Sequence, residues 1–470
     1  MDAHEIRRAF LDLLTADGHA RLIRAPLVLR DDPTTLFTGS GMQPLLPYLL
    51  GAPHPLGRRL TDVQPCLRAQ DMDEVGDNRH TTFFEMLGNW SLGDYSKAEQ
   101  IPRLFGFLVD VVGLDPNRIY VSAFIGDPAH DIPRDEESAE IWERLFAERG
   151  VDCGRVDLGT EEHGNEVGNQ GARIAFYGDK NWWSRFGGPD KMPVGDPGGP
   201  DSEVFYHFPQ VRHDPRFGRY PHQNSDGGQF MEIGNSVFMT FRKTVDGMAE
   251  LPHHNVDFGG GLERIAAAAL DSPDVYRVSL LWPIVAKLQE LSGTAYADAT
   301  VAMRVVADHL RGAVFLAADG VMPANKEQGY VMRRLVRRAL RYGMDLGLAQ
   351  GVAADVVPVV AAIYADVYPE LAQRQDAIVA VLAREEKAFA RTLGKGLARM
   401  RKLTGPVTAA TLFELHDTYG MPVELAVEEV RRGGLPLDPS WATGYAELVE
   451  AQRARSRAGP LRFHLSLIHI

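Results

Sequence analysis

A chain of 470 residues with 45% apolar content can bury more than one sizeable core, and its length predicts two to four domains. The start MDAHEIRRAFLDLL mixes both charge signs without the basic-then-apolar layout of a secretory leader, and no apolar run reaches the roughly 18 residues of a membrane span, so the expectation is a soluble, cytoplasmic protein with no membrane partner. Only Cys66 and Cys153 are present, which argues against a disulfide framework or a cysteine zinc site, and the net charge of −13 argues against indiscriminate nucleic-acid binding without excluding a local basic face.

In chain order, residues 1–265 are rich in Gly, Pro and aromatics. They carry short β-like runs such as RIYVSAFIG and SVFMTFRK, the latter followed by the turn-like VDGM before LPHHNVDF. This predicts an α+β region. Within it, SRFGGPDKMPVGDPGGPDSE (184–203) is too polar and too broken for regular structure, and is expected to be a solvated insertion or a loop bordering a site. From about Leu262 the chain turns to Ala/Leu/Arg stretches with helical periodicity, predicting an almost wholly helical second half to residue 458. Between Val301 and Asp345 eight Lys/Arg face four acids, a basic segment in an acidic protein. The final LRFHLSLIHI (459–470) does not continue the charged helical text before it.

The stretch RHTTFFEMLGNWSLGDY (79–95) packs a cation, a His, two Phe rings and a Glu ahead of a Gly-Asn pair. In a strand, Thr82 and Phe84 share one face while Phe83 and Glu85 share the other, so a ring and a carboxylate are presented separately. A flat ring suits stacking on a heterocyclic base, and Arg68 upstream suits a phosphate. The plain alternative is a sheet whose Phe is core and whose Arg68 pairs with a nearby acid. Further on, NVDFGGGLERIAAAAL reads as a strand end, a glycine turn and a helix starting near Leu262. That places Asp257 as a partner for a substrate ammonium and Arg264 beside the glycine surface; the alternative leaves Glu263 and Arg264 in solvent. No GxxxxGK[ST] or GxGxxG occurs, so nucleotide binding here needs an arginine clamp. Adjacent His253 and His254 cannot easily face one ion and lack a third ligand.

These residues carry a resemblance. DPTTLFTGSGMQP, LRAQDMDEVGDNRHTTFFEMLGNWSLGDYSK and VDFGGGLERIAA resemble the three ordered motifs of the bacterial alanyl-tRNA synthetases, a class II aminoacyl-tRNA synthetase family. ADHLRGAVFLAADGVMPANKEQGYVMRRLVRRALRYG and LFELHDTYGMPVEL resemble that family's helical tRNA-recognition region. The resemblance implies an α+β catalytic domain with a class II antiparallel sheet over 1–265, a helical tRNA-recognition domain over 266–458, and a tail at 459–470 unlike the family. It implies activation of L-alanine with ATP and Mg2+ and transfer to the 3′ end of alanine tRNA. By the same likeness Arg68 holds the α-phosphate, His80 lies by the outer phosphates, and Phe84 stacks on adenine. Arg264 covers the other adenine face or the γ-phosphate. Asp257 binds the alanine ammonium, Trp183, Asn235 and Val237 shape the small pocket, and Glu232 is the choice for magnesium. Asn325 and Asp417 meet the acceptor-stem wobble pair, and Arg334, Arg337, Arg338 and Arg341, recurring at helical spacing, fit phosphate contacts. The alternative for that row is a solvated or salt-bridged helix face.

Departures from the family pattern are local. AQDMDEVG is shorter than the usual lysine-bearing loop, Thr81 replaces a common second His, and GDPGGPD and EIGN are variants. The editing domain with its zinc site has no counterpart here, so no zinc is expected. A small pocket rejects serine only by ~10²-fold or less, so the expectation is measurable seryl-tRNA unless a separate trans-editing protein hydrolyses it. Competing readings are an alanine-activating relative with another acceptor, and a non-catalytic RNA-binding module.

Overall fold

The computed structural model describes residues 1–29, 35–348 and 351–458, with side chains to Arg455; the start of the first motif and the terminal tail lie outside the described residues. Helix α1 (Ala3–Ala16) opens on a reciprocal cap in which Asp2 accepts from the Glu5 backbone and the Glu5 carboxylate accepts from the Asp2 backbone, each at 2.9 Å. Its apolar stripe, Ile6, Phe10 and Leu14, is buried.

Ten strands form one mixed sheet: β1 (Ala20–Arg21), β2 (Arg59–Leu67), β3 (Phe83–Leu92), β4 (Ile119–Phe124), β5 (Arg155–Gly159), β6 (Ile174–Tyr177), β7 (Trp182–Ser184), β8 (Pro197–His207), β9 (Phe230–Thr244) and β10 (Gly247–Gly261). The spatial order is β1-β2-β3-β10-β9-β8-β4-β6-β5, with β7 on β8. The run β2-β3-β10-β9-β8-β4 is antiparallel throughout, as expected. Parallel pairs extend it at both ends, β1 on β2 and β6 between β4 and β5. The expected turn holds: β9 and β10 are joined through Val245-Asp246, with Gly247 at φ +131°. The expectation for residues 184–203 is corrected in its second half, because Pro197–Glu203 belongs to β8 and is buried along its length. Its polarity belongs to the site, not to solvent.

After β10 come α2 (Leu262–Ala269), α3 (Thr300–Ala318), α4 (Glu327–Asp345), α5 (Gln375–Met400), α6 (Ala409–Tyr419), α7 (Val423–Arg432) and α8 (Trp441–Ala458). The 265/266 division runs through α2, whose buried Leu262, Ile265 and Ala266 join the same hydrophobic core as the sheet and the later helices. One core is therefore continuous across both halves. Phe83 on β3 stacks on Phe315 of α3 at 4.2 Å between ring centroids. Cys66 is buried and Cys153 half-buried, and both are free thiols.

Candidate active site

The face of the sheet opposite α1 and α3 carries a cleft that Arg68, His80, Phe84, Glu232, Gly259 and Arg264 help to line. Arg68 leaves the end of β2, where its backbone N–H donates to the Thr82 carbonyl at 2.8 Å. Its guanidinium lies 5.0 Å from the Phe84 ring centroid, and its Nε donates to the Gly39 carbonyl at 3.1 Å. The period of two along β3 holds: Phe84 and Met86 face the cleft, whereas Phe83 and Glu85 turn into the core. Glu85 is a structural carboxylate, salt-bridged to Arg7 and accepting the Tyr368 hydroxyl at 2.8 Å. The glycines of GGG continue β10 rather than making a turn. At Gly259 a Cβ would stand 2.8 Å from the Met86 sulfur, so a larger residue here would press on the Met86 side chain that lines the cleft.

His80 is gripped by two carboxylates, Asp77 at 2.6 Å through Nδ1 and Glu74 at 3.0 Å through Nε2. Burial works against the Asp77 anion, but hydrogen bonds from the His80 ring and the His80 and Arg79 backbone hold its pKa down to about 2. Asp71, raised by burial, and Arg79, bonded to Asp226 at 3.0 Å, also line the cleft and were not singled out from sequence. Arg264 sits in the first turn of α2 and reaches the Glu232 carboxylate at 3.3 Å. Glu263 beside it is buried rather than solvated: Arg311 bonds it at 2.7 Å, and it accepts the Glu85 backbone N–H at 3.1 Å.

The residues expected around the amino acid share the cleft's face of the sheet. Val237 stands in register between Asp201 and Asp257, and Asn235 between Glu203 and Gly259. Gly259 thus joins the two groups. Trp183 packs against a small core that contains Met42, Trp90 and Met239. The Trp90 ring lies over Gly88 and its indole N–H donates to Asp257 at 2.7 Å. Burial pushes Asp257 up to about 7, and that indole bond opposes the rise. Three more buried carboxylates surround this site. Asp62 is raised by burial and by Asp257, and one of its oxygens has no partner. Asp201 and Glu203 are raised by burial as well, and the Asn181 side chain donates to both, at 2.9 and 3.3 Å. The sequence signal for them was the alternation of acids in PDSEV, the period of a strand.

In the helical half, Asn325 and Asp417 are exposed, bonded to Arg333 and to Gln452 of α8 respectively. In the arginine row of α4 each guanidinium has an acidic partner within the protein. Arg334 pairs with Asp73 at 2.6 Å, and Arg337 with Glu385 at 2.6 Å. Arg338 pairs with Glu428 at 2.8 Å, and Arg341 with Asp345 at 2.7 Å and Glu429 at 2.8 Å. Arg338 is 3% exposed, so its guanidinium is held inside the protein, and the row as a whole is salt-bridged in this structure.

A chain-long family model described as tRNA synthetases class II (A) matches residues 5–464. The alanine-tRNA ligase of Treponema pallidum is 38% identical over 98% of this chain and 73% of its own length; that of Borreliella afzelii is 36% identical with the same coverage. The alanine-tRNA ligase of Saccharopolyspora erythraea is 36% identical over 97% of this chain, which spans 49% of it. Motifs, cleft and relatives agree: the chain belongs to the class II tRNA synthetases, among the alanine-tRNA ligases.

Proposed function

We infer that the chain is an alanine-tRNA ligase that joins L-alanine to ATP as alanyl-adenylate and passes the alanyl group to the 3′ end of alanine tRNA. The observation that supports this best is the single sheet face that sets the arginine-walled cleft beside the buried Asp257. A cleft flanked by Arg68, Arg264 and His80 suits a triphosphate, and Phe84 suits the adenine once the Arg68 guanidinium moves from the ring to the α-phosphate. Asp257 suits an ammonium: a buried carboxylate without a cation gains its counter-charge from the substrate. Val237 stands opposite it in register and Trp183 packs on the core that holds Trp90, apolar neighbours that suit a small side chain.

The alanine carboxylate attacks the α-phosphorus and pyrophosphate leaves, after which the ribose hydroxyl of the tRNA end attacks the alanyl carbonyl and AMP leaves. The protein supplies alignment and charge stabilisation, with Arg68 opposite the phosphorus where negative charge grows. Among the described residues no cluster of three or more His, Cys, Asp or Glu could hold a metal alone. A Mg2+ carried by the ATP phosphates needs only one or two carboxylates, and Glu232 on the cleft wall fits that need. Such an ion would offset phosphate charge.

Pyrophosphate exchange with alanine, glycine and serine, followed by charging of alanine tRNA with and without its wobble pair, tests the reading. Alanine-dependent exchange with pair-dependent charging is expected. Exchange without charging would move the function to adenylate supply, and no exchange at all would remove the ligase reading.

A further inference from the structure

Helix α5 has two unlike sides. Inward, Ile378, Leu382, Phe389 and Leu393 are buried, and Glu385 reaches Arg333 and Arg337 of α4. Outward stand Arg384, Lys387, Arg391 and Lys395, all exposed. At 3.6 residues per turn these four fall within an arc of about 80°. The other exposed positions on that arc are Ala377, Ala380 and Ala398, so no acid interrupts it. The four cations span about 17 Å at 1.5 Å per residue, and exposed Arg401 and Lys402 follow just beyond the helix end.

Among the described residues, none of these six cations lies within the 4.0 Å that defines an ion pair, whereas each arginine of the α4 row is paired. Like charges three and four residues apart repel along a helix, and among the described residues no acid pairs with them. The helix also braces the element that carries Asp417: Arg399 bonds Glu414 of α6 at 3.1 Å, and a Cβ at Gly396 would meet Tyr419 at 3.3 Å. In a chain of net charge −13, this is a one-sign surface that suits a polyanion.

We propose that the outer stripe of α5 holds the phosphate backbone of an RNA duplex, and, resting on the ligase reading, that this duplex is the substrate tRNA. Contacts to phosphate fix position and carry no base information, which gives the stripe a signature of its own. The test uses the full chain carrying Lys387→Ala, Arg391→Ala and Lys395→Ala together; alanine favours helix, and circular dichroism checks that the fold is kept. Binding of alanine tRNA with and without the wobble pair is titrated across salt, beside alanine-dependent pyrophosphate exchange.

The expected result is weaker binding of both RNAs by the same factor, about tenfold or more at low salt, and a slope of log affinity on log salt smaller by nearly one per cation removed. Exchange stays as in the unsubstituted chain. Unchanged affinity and slope would overturn the proposal, as would a loss confined to the wobble-paired RNA. Vesicles of anionic lipid that lose binding while RNA does not would assign the stripe to a membrane surface instead. A chain with no alanine exchange whose RNA binding still loses slope would keep the stripe and end the ligase reading.

Discussion

Asp257 is the residue where binding and stability pull against each other. Burial raises it to about 7, and an ammonium needs it ionised. The KM for alanine in pyrophosphate exchange should therefore fall as pH rises through about 7, and Asp257→Asn should raise KM by about a hundredfold and flatten that dependence. Stability runs the other way. A carboxyl raised from its ordinary value binds its proton more tightly in the folded chain, so its contribution is complete below about pH 4 and is lost as pH rises through about 7. Asp257→Asn should consequently unfold at a higher temperature than the unsubstituted chain at pH 8 and show little gain at pH 4, with about 4 kcal/mol as the upper bound for a three-unit shift. Arg68 offers a simpler expectation: Arg68→Ala should lower kcat for exchange by about 10²–10³, the scale of a lost charge-stabilising donor. The sequence showed that Phe84 and Glu85 face opposite ways, because strand period is local. It could not show what Glu85 meets, since Arg7 and Tyr368 stand 78 and 283 residues away.

Helix α4 shows how far periodicity carries an argument. The spacing of Arg334, Arg337, Arg338 and Arg341 was legible as one polar side of a helix, but a polar side can face water, RNA or another helix with acids. Here the partners Glu428 and Glu429 lie on α7, about ninety residues on, and only the folded chain brings them in. Strand β8 failed for the reverse reason. Its glycines and acids read as loop because the buried face is the site itself, where polarity is functional. The α4 pairs are structural, and Arg338 is the most buried, bonded to Glu428 and to the Met72 carbonyl at 2.8 Å each. Arg338→Ala should cost about 3 kcal/mol in urea unfolding, because it leaves Glu428 without its cation, while the salt slope of RNA binding stays unchanged.

At the scale of the whole molecule the two halves share buried polar joints as well as a core. Thr82 donates its backbone N–H to Asp308 at 2.9 Å, Tyr368 bonds Glu85, and Arg311 joins Glu263, the Tyr364 hydroxyl at 3.2 Å and the Phe83 carbonyl. Through Thr82, Phe83, Glu85 and Glu263 these bonds tie the second half to the elements that carry the cleft wall. Phe83 precedes Phe84, and Glu263 precedes Arg264. Unfolding should then be one transition, with tryptophan fluorescence and far-ultraviolet circular dichroism coinciding, since tryptophans lie in both halves. Arg311 is the joint with the most at stake, fully buried and bonded to three groups. Arg311→Met removes a charge without shrinking the side chain greatly, yet leaves the Glu263 carboxylate buried and unpaired, at a cost of about 3–5 kcal/mol. Protonation of Glu263 would relieve part of that, so the loss should be smaller at pH 5 than at pH 8. If the joint sets the cleft wall, this variant also raises the KM for ATP several-fold, while the ratio of charging with and without the wobble pair does not move. A stability loss with an unchanged KM for ATP would mean that the joint holds the halves together without shaping the cleft.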